Sequence, residues 1–210
     1  MYFVKTPYLL KKIYSGLIWE VHNNHNQVFL TFDDGPTPGI TEEVLTILGK
    51  NNAKATFFCT GKNVEKNPVL YQHILQEGHA VGNHSFLHQN GWRINDADYV
   101  QDIKRCCNLI DSNLFRPPYG KITFSQIEKL KFDFKIVMWS VLSADFDDTI
   151  TPQQCLKNSI DQIKSGSIIV FHDSEKAKKN MLYALPRFLE YCHAKNLIPS
   201  SLHSLSAVSI

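Results

Sequence analysis

Residues 28–36 read VFLTFDDGP, an apolar run that ends in two adjacent carboxylates, Asp33 and Asp34, and a turn. The apolar run predicts a buried strand, and Asp-Gly-Pro is ordinary turn chemistry at its end. Two carboxylates at a buried strand end repel each other and lose hydration, so they persist where a cation or a proton compensates. These residues alone leave two interpretations open: a metal site with a free base beside it, and a plain strand terminus.

On both sides of this stretch, short β-rich runs alternate with helical patterns, which predicts a parallel sheet with crossover helices. The predicted strands are residues 27–32, 55–59, 79–82, 113–116, 135–140, 167–171 and, weakly, 197–198. Start and stop signals predict helices at 68–78, about 96–110 and 152–166. The 210 residues suit one α/β domain, of a size that fits a small barrel.

Composition excludes two classes of protein. Hydrophobic residues make up 43% and charged residues 20%, which is ordinary for a globular domain, and the net charge of +2 is too small to indicate a nucleic-acid surface. Near the start, Lys5, Pro7, Lys11 and Lys12 interrupt the apolar residues, so we expect no transmembrane segment and no signal peptide. The default expectation is a cytoplasmic protein, with envelope association left open. The oligomeric state is unknown from sequence.

Five chemically distinctive residues lie at or just beyond the carboxyl ends of predicted strands: Asp33, His84, Arg116, Trp139 and His172. The carboxyl ends of the strands of a closed parallel barrel meet on one face, where active sites are found. We therefore expect these side chains to share one site.

The segment GNHSFLHQNGW supplies His84 and His88, a spacing that lets two imidazoles converge on one ion from a helical turn. Nine histidines produce such spacings by chance, so the pair alone is weak support for a site. With Asp34 the pair makes a three-ligand set with open positions, which a catalytic metal needs. Two histidines and a carboxylate also hold non-haem iron in oxygenases, so that class stays open.

Five segments taken in order resemble the polysaccharide deacetylases, also called NodB-homology or carbohydrate esterase family four enzymes. The segments are TFDDGP, HSFLH, RPPYG, WSVLSADF and IIVFHD, and the resemblance spans roughly residues 28–173. It implies a distorted (β/α) barrel, here with seven or so parallel strands, and metal-dependent removal of acetyl groups from amino sugars or their polymers. We expect a single NodB-like deacetylase domain at 27–210, with residues 1–26 as an extension packing on the barrel. The substrate implied is a carbohydrate, and the cofactor implied is a divalent metal ion, zinc first, with cobalt or nickel as alternatives.

The resemblance also implies roles for nine residues. It makes Asp33 the general base, Arg116 its partner, His172 the general acid, Asp34, His84 and His88 the metal ligands, the backbone N–H of Tyr119 an oxyanion donor, and Trp139 and Phe171 the lining of the substrate groove and acetyl-methyl pocket. Plainer interpretations exist for several of them. His172 could be a strand-end histidine bonded to Asp173, RPPYG a rigid turn, and Trp139 and Phe171 core aromatics.

One departure from the family pattern bears on the chemistry. Where the family commonly shows DxxDW, this sequence has LSADF, so Leu142 stands in place of the first carboxylate and Phe146 in place of the tryptophan. In the family that carboxylate tunes the catalytic histidine, and here its substitute is open among Asp145, Asp147 and Asp173. A weaker general acid is better matched to an ester than to an amide, because the leaving group of an ester is less basic. N- and O-deacetylation therefore both remain open. Further alternatives are the same chemistry on a non-sugar amide or cyclic imide, and a non-catalytic glycan-binding protein.

Overall fold

The computed structural model describes residues 3–22 and 25–206. The strands are β1 (Gln27–Asp33), β2 (Thr56–Cys59), β3 (Ala80–Asn83), β4 (Leu114–Phe115), β5 (Lys135–Ile136), β6 (Val141–Leu142), β7 (Ile168–His172) and β8 (Ile198–Ser200). The α-helices are α1 (Tyr8–Ile13), α2 (Thr41–Lys50), α3 (Gly61–Lys66), α4 (Pro68–Gln76), α5 (Asp96–Cys106), α6 (Phe124–Leu130), α7 (Pro152–Ile160), α8 (Lys178–Ala194) and α9 (His203–Ser206), and a 3₁₀ turn covers Pro118–Gly120. Residues 1–2 and 23–24 of the predicted extension, and 207–210 of the predicted domain, lie outside the described residues, and the division at 26 stays a prediction.

One parallel sheet organises the described chain. Its strand order is β5-β4-β3-β2-β1-β7-β6, and β8 pairs with the start of β1. Every described strand pair is parallel, as the alternation of strands and helices predicts. Strand β1 is an interior strand between β2 and β7, so Asp33 at its end and Asp34 just beyond it lie within the sheet's carboxyl edge rather than at its margin.

The predicted strand 135–140 is wrong in its extent, because β5 ends at Ile136 and the next strand, β6, begins only at Val141. The N-terminal segment explains the division, since it hydrogen-bonds to both. The Ile18 N–H donates to the Ile136 carbonyl at 2.9 Å, and the Met138 N–H donates to the Ile18 carbonyl at 2.7 Å. The Leu142 N–H donates to the Val4 carbonyl at 2.8 Å. The segment therefore lies between the two edges of the sheet.

Side chains of β7 show how the core is divided. Ile169 and Phe171 belong to a large cluster between the sheet and the helices, whereas Ile168 belongs to a smaller cluster with residues of β2 and β4. Successive strand residues point to opposite faces, so Val170 and His172 share the face of Ile168. This alternation places the His172 imidazole on the inner face of the curled sheet. Within 3–22 and 25–206, none of the helices has the length and apolar character needed to cross a membrane.

Candidate active site

The strand register brings the predicted site residues to one edge of the sheet. Asp33 is aligned with His172 on β7 and with Phe58 on β2. Arg116 directly follows β4, and its side chain crosses the sheet interior to reach Asp33. The expected convergence of strand-end residues is therefore present in the structure.

Asp34, His84 and His88 form a compact ligand cluster. The Asp34 Oδ1 atom lies 3.1 Å from His88 Nε2 and 3.8 Å from His84 Nε2, and one ligating atom from each of the three residues lies within 4.8 Å of the others. His84 Nδ1 lies 2.8 Å from the Arg116 carbonyl oxygen. That carbonyl only accepts hydrogen bonds, so the ring proton sits on Nδ1 and Nε2 is free to ligate.

The shifted pKa values of His84 and Asp34 favour binding of a cation by this cluster. Burial lowers the pKa of His84 to about 4, so the imidazole is neutral near pH 7 and can donate its lone pair. Burial opposes ionisation of Asp34, but the hydrogen bond from His88 and the charge of His172 outweigh it and hold the pKa of Asp34 below its ordinary value. One carboxylate with two imidazole nitrogens is a donor set that fits a divalent metal of the zinc type.

The helical turn predicted for the two histidines is wrong. Residues 84–88 are a loop, and Ser85 and His88 have left-handed backbone conformations with φ of 61° and 57°. The Asp102 carboxylate, from α5, accepts the N–H of Phe86 at 3.0 Å and that of Leu87 at 3.1 and 3.2 Å. A buried side chain thus satisfies backbone groups that a helix would satisfy internally. The sequence analysis missed Asp102, since an acidic residue in a helix pattern carries no signal of this role.

The turn after β1 is fixed by Asp173. Its two carboxylate oxygens accept the Gly35 N–H at 3.0 Å and the Thr41 hydroxyl at 2.6 Å. A Cβ atom at position 35 would overlap the Asp173 carboxylate, so the turn requires glycine there. Burial raises the pKa of Asp173 to about 7. With both oxygens engaged at the turn, Asp173 is not the partner of His172.

Asp33 makes an ion pair with a fully buried arginine. Arg116 Nη1 lies 2.7 Å from Asp33 Oδ1 and also donates to the Thr31 hydroxyl at 2.7 Å. Its Nε and Nη2 donate to the carbonyls of Val137 and Met138 at 3.2 and 3.0 Å. The guanidinium is thereby held in one orientation against the Asp33 carboxylate. Asp33 is thus engaged by Arg116, whereas Asp34 faces the histidines.

Asp145 is the partner of His172. Its two carboxylate oxygens lie 2.7 Å from His172 Nδ1 and 2.7 Å from the His172 backbone N, and Asp145 is fully buried. Burial lowers the pKa of His172, but the charge and hydrogen bond of Asp145 outweigh this and raise it to about 9. The substitution at Leu142 therefore does not leave the histidine without a carboxylate. Leu142 is a buried strand residue of β6, and Phe146 packs edge-on to the His172 ring, with centroids 5.0 Å apart.

Two of the three residues predicted for oxyanion or substrate binding, Tyr119 and Trp139, lie beside this centre. The exposed Tyr119 ring packs edge-on to His88 with centroids 4.6 Å apart, and the Tyr119 backbone is left-handed with φ of 59°. Trp139 lies over the Arg116 guanidinium, 5.9 Å from its carbon to the ring centroid. Tyr119 and Trp139 both line a cavity of about 280 Å³, which we call the aromatic cavity.

The prediction that Phe171 lines an acetyl-methyl pocket is wrong. Its side chain is fully buried against Phe32 and Phe188, with ring centroids 6.1 and 5.8 Å away. Strand alternation turns Phe171 toward α8 and turns Val170 to the same face as His172. The plainer interpretation of Phe171 as a core aromatic is the correct one.

The model of the family described as polysaccharide deacetylase matches residues 20–132, which is more than half of the chain. The chain belongs to the polysaccharide deacetylase family. The peptidoglycan-N-acetylglucosamine deacetylase of Bacillus cereus is 34% identical over 179 residues, covering 81% of this chain and 84% of that protein. The chitooligosaccharide deacetylase of Azorhizobium caulinodans is 30% identical over 166 residues, covering 75% of this chain and 79% of that protein.

Solved structures of this family agree with the fold. A peptidoglycan N-acetylglucosamine deacetylase in complex with an N-oxidanyl-benzamide superposes with a TM-score of 0.85 at 30% identity, covering 95% of this chain and 96% of that chain. The predicted family, the distorted (β/α) barrel and the assignment as a deacetylase are confirmed. Polysaccharide deacetylases are metal-dependent, and the cluster of Asp34, His84 and His88 fits that dependence.

Proposed function

We propose that this polysaccharide deacetylase removes the acetyl group from an N-acetylglucosamine-type sugar, with zinc held by Asp34, His84 and His88. The observation that carries the proposal is that two adjacent carboxylates have different partners. Asp34 faces two imidazoles, whereas Asp33 is withheld from them by its ion pair with Arg116. A free carboxylate beside a ligand cluster is the arrangement that metal-assisted hydrolysis needs.

A divalent cation bound by the three ligands supplies positive charge that polarises an acyl carbonyl and acidifies a water molecule. Asp33 acts as the base that removes the proton from the attacking water. Arg116 orients the Asp33 carboxylate, since its buried guanidinium lies 2.7 Å from Asp33 Oδ1. Thr31 and two backbone carbonyls position Arg116 for this role.

His172 acts as the acid that protonates the leaving nitrogen. An amine leaves poorly as its anion, so amide cleavage requires a proton donor in place. The pKa of His172 is raised to about 9 by Asp145 against the effect of burial, so the imidazolium form persists through neutral pH. This supports an amide substrate and removes the argument for an ester that the substitution at Leu142 suggested.

The backbone N–H of Tyr119 serves as the oxyanion donor. The contact between the Tyr119 and His88 rings holds this backbone segment beside the ligand cluster. A preorganised donor at a developing oxyanion is worth about 2.7–4 kcal/mol in other hydrolases.

The test is acetate release from chito-oligosaccharides and peptidoglycan by the zinc-loaded protein. The Asp33→Asn variant should retain stoichiometric zinc and lose roughly 10²–10⁴-fold in kcat/KM, because the general base is removed while Asp34, His84 and His88 are kept. The matched control is Asp148→Asn, which neutralises an exposed carboxylate near Asp145 and should leave turnover unchanged. Zinc-loaded protein that releases no acetate from either substrate class would overturn the proposal.

A further inference from the structure

The aromatic cavity adjoins the catalytic centre. Two of its walls also contact catalytic groups: Tyr119 packs against His88, and Trp139 lies over the guanidinium that pairs with Asp33. A substituent in the cavity would therefore belong to the molecule whose acetyl group is being cleaved. The Tyr119 and Trp139 rings thus place the cavity next to the ligand cluster and the Asp33–Arg116 ion pair.

The N-terminal segment builds the opposite wall. Leu10, Tyr14 and Leu17 line the cavity from this segment, and Ile122 and Met138 line it from the barrel. The same segment is hydrogen-bonded to the two edges of the sheet, so its position is fixed by the backbone. A wall attached in this way is part of the folded domain and can determine specificity.

The chemistry of the lining is apolar. The polar groups of several lining residues are already bonded within the protein: the Trp19 indole N–H donates to the Tyr14 carbonyl at 3.0 Å, and the Trp92 indole N–H donates to the Ile122 carbonyl at 3.1 Å. Among the described lining residues the charged one is Lys121, whose ammonium lies 3.8 Å above the Trp92 ring. The indole N–H groups of Trp19 and Trp92 are therefore already engaged, and the aromatic and aliphatic side chains give most of the cavity an apolar surface.

The volume sets the size of the occupant. An apolar cavity of roughly 150 Å³ accommodates benzene. A cavity of about 280 Å³ thus has room for a short alkyl chain or a fused aromatic ring system.

We propose that the aromatic cavity binds an apolar aglycone, an alkyl or aryl group carried by the acetylated amino sugar, and so selects amphiphilic glycosides. The proposal rests on the proposed deacetylase function and names the substrate class of that site. The Tyr119 and Trp139 side chains separate the apolar aglycone from the polar reacting end.

The experiment compares three substrates with the zinc-loaded protein: the hexyl and the methyl glycosides of N-acetylglucosamine, and chitobiose. We expect kcat/KM for the hexyl glycoside to exceed that for the methyl glycoside by at least about tenfold, chiefly through KM, since each buried methylene adds to binding. Leu10→Trp fills the cavity from a surface helix and should bring this ratio close to one. Leu9→Trp is the matched control, because Leu9 is the neighbouring residue, 67% exposed and outside the lining.

A binding measurement keeps the outcome independent of turnover. All three tryptophans of the chain, Trp19, Trp92 and Trp139, line the cavity, so intrinsic tryptophan emission reports its occupancy. Hexyl glycoside should change this emission saturably in the wild type and in Leu9→Trp, and with at least about tenfold weaker affinity in Leu10→Trp.

Equal kcat/KM for the hexyl and methyl glycosides, with no emission change, overturns the cavity proposal and leaves the proposed deacetylase function in place. A preference for chitobiose that Leu10→Trp abolishes overturns it in favour of a second sugar subsite. Saturable emission without acetate release supports the cavity and contradicts the deacetylase.

Discussion

The substitution Asp145→Asn should shift the pH dependence of catalysis while nearly preserving side-chain volume. The Asp145 carboxylate is fully buried and lies 2.7 Å from His172 Nδ1. Burial lowers the pKa of His172, and Asp145 raises it from 6.5 to about 9. Once the negative charge is removed, burial is opposed only by the more weakly acting Asp33 and Asp34. The pKa of His172 should therefore fall toward or below its ordinary value.

The size of the effect follows from the fraction of His172 that is protonated. With a pKa of about 9, about nine tenths of the imidazole is charged at about pH 8, whereas an ordinary pKa leaves about 3% charged. If donation by His172 limits turnover, kcat/KM at about pH 8 falls about 30-fold in the variant. Near pH 5.5 the loss is smaller, since the histidine is then largely protonated in both proteins. The alkaline limb should move down by about 2.5 pH units, equivalent to about 3.4 kcal/mol.

The raised pKa of His172 should also make the free energy of unfolding depend on pH. A histidine whose pKa is raised on folding stabilises the native state fully below pH 6.5, and this contribution disappears as the pH rises to about 9. The free energy of unfolding of the wild type should therefore decline over this interval through His172, and that component should be absent from Asp145→Asn.

The assay is acetate release from chito-oligosaccharides by zinc-loaded protein across about pH 5.5 to 9.5, with urea unfolding measured at each end. Asp148→Asn again provides the control for removing an acidic residue from the same loop. An alkaline limb in Asp145→Asn that coincides with that of the wild type would refute the assigned role of Asp145, even if the overall rate had fallen.

Three further predictions concern groups that hold the site in place. Asp102→Asn weakens the anchoring of the histidine loop, so zinc affinity measured by competition with a chelator should drop about 10–100-fold. Gly35→Ala pushes against the Asp173 carboxylate, and thermal unfolding should show a loss of about 1–3 kcal/mol, whereas unchanged stability would show that the turn can relax. Phe171→Leu should lower the free energy of unfolding by about 1 kcal/mol because Phe171 packs on Phe188, with kcat/KM of the folded protein unchanged; a selective rise in KM would instead place Phe171 at the substrate.

The sequence was most informative where local pattern and chemistry coincide. Buried strands produce apolar runs, and parallel strands bring their carboxyl ends together, so the positions of Asp33, Arg116 and His172 at one sheet edge could be predicted. The spacing of His84 and His88 indicated convergence on one ion, although it could not indicate how the backbone achieves it. Their loop depends on positive φ at Ser85 and His88, and neither serine nor histidine indicates that conformation in the sequence.

Long-range partners were the part that the sequence could not supply. Three carboxylates were candidates for His172, and only the three-dimensional position of Asp145 distinguishes it from Asp147 and Asp173. Phe171 was misassigned because neighbouring strand residues face opposite sides, and the functional residue His172 sits directly beside it. The division of the predicted strand 135–140 likewise depends on Ile18, more than a hundred residues earlier.

The contacts of the N-terminal segment also constrain how the molecule assembles. Val4 and Ile18 are synthesised long before Leu142 and Met138, the residues to which they hydrogen-bond. Closing loops of this length has an entropic cost, which is offset only after the strands have formed. The hydrogen bonds of Val4 and Ile18 therefore form at a late stage of folding. Until then β5 and β6 present bare strand edges, which are templates for intermolecular pairing. A shortened chain starting at Gln27 should therefore self-associate during refolding, even though it keeps every ligand of the cation.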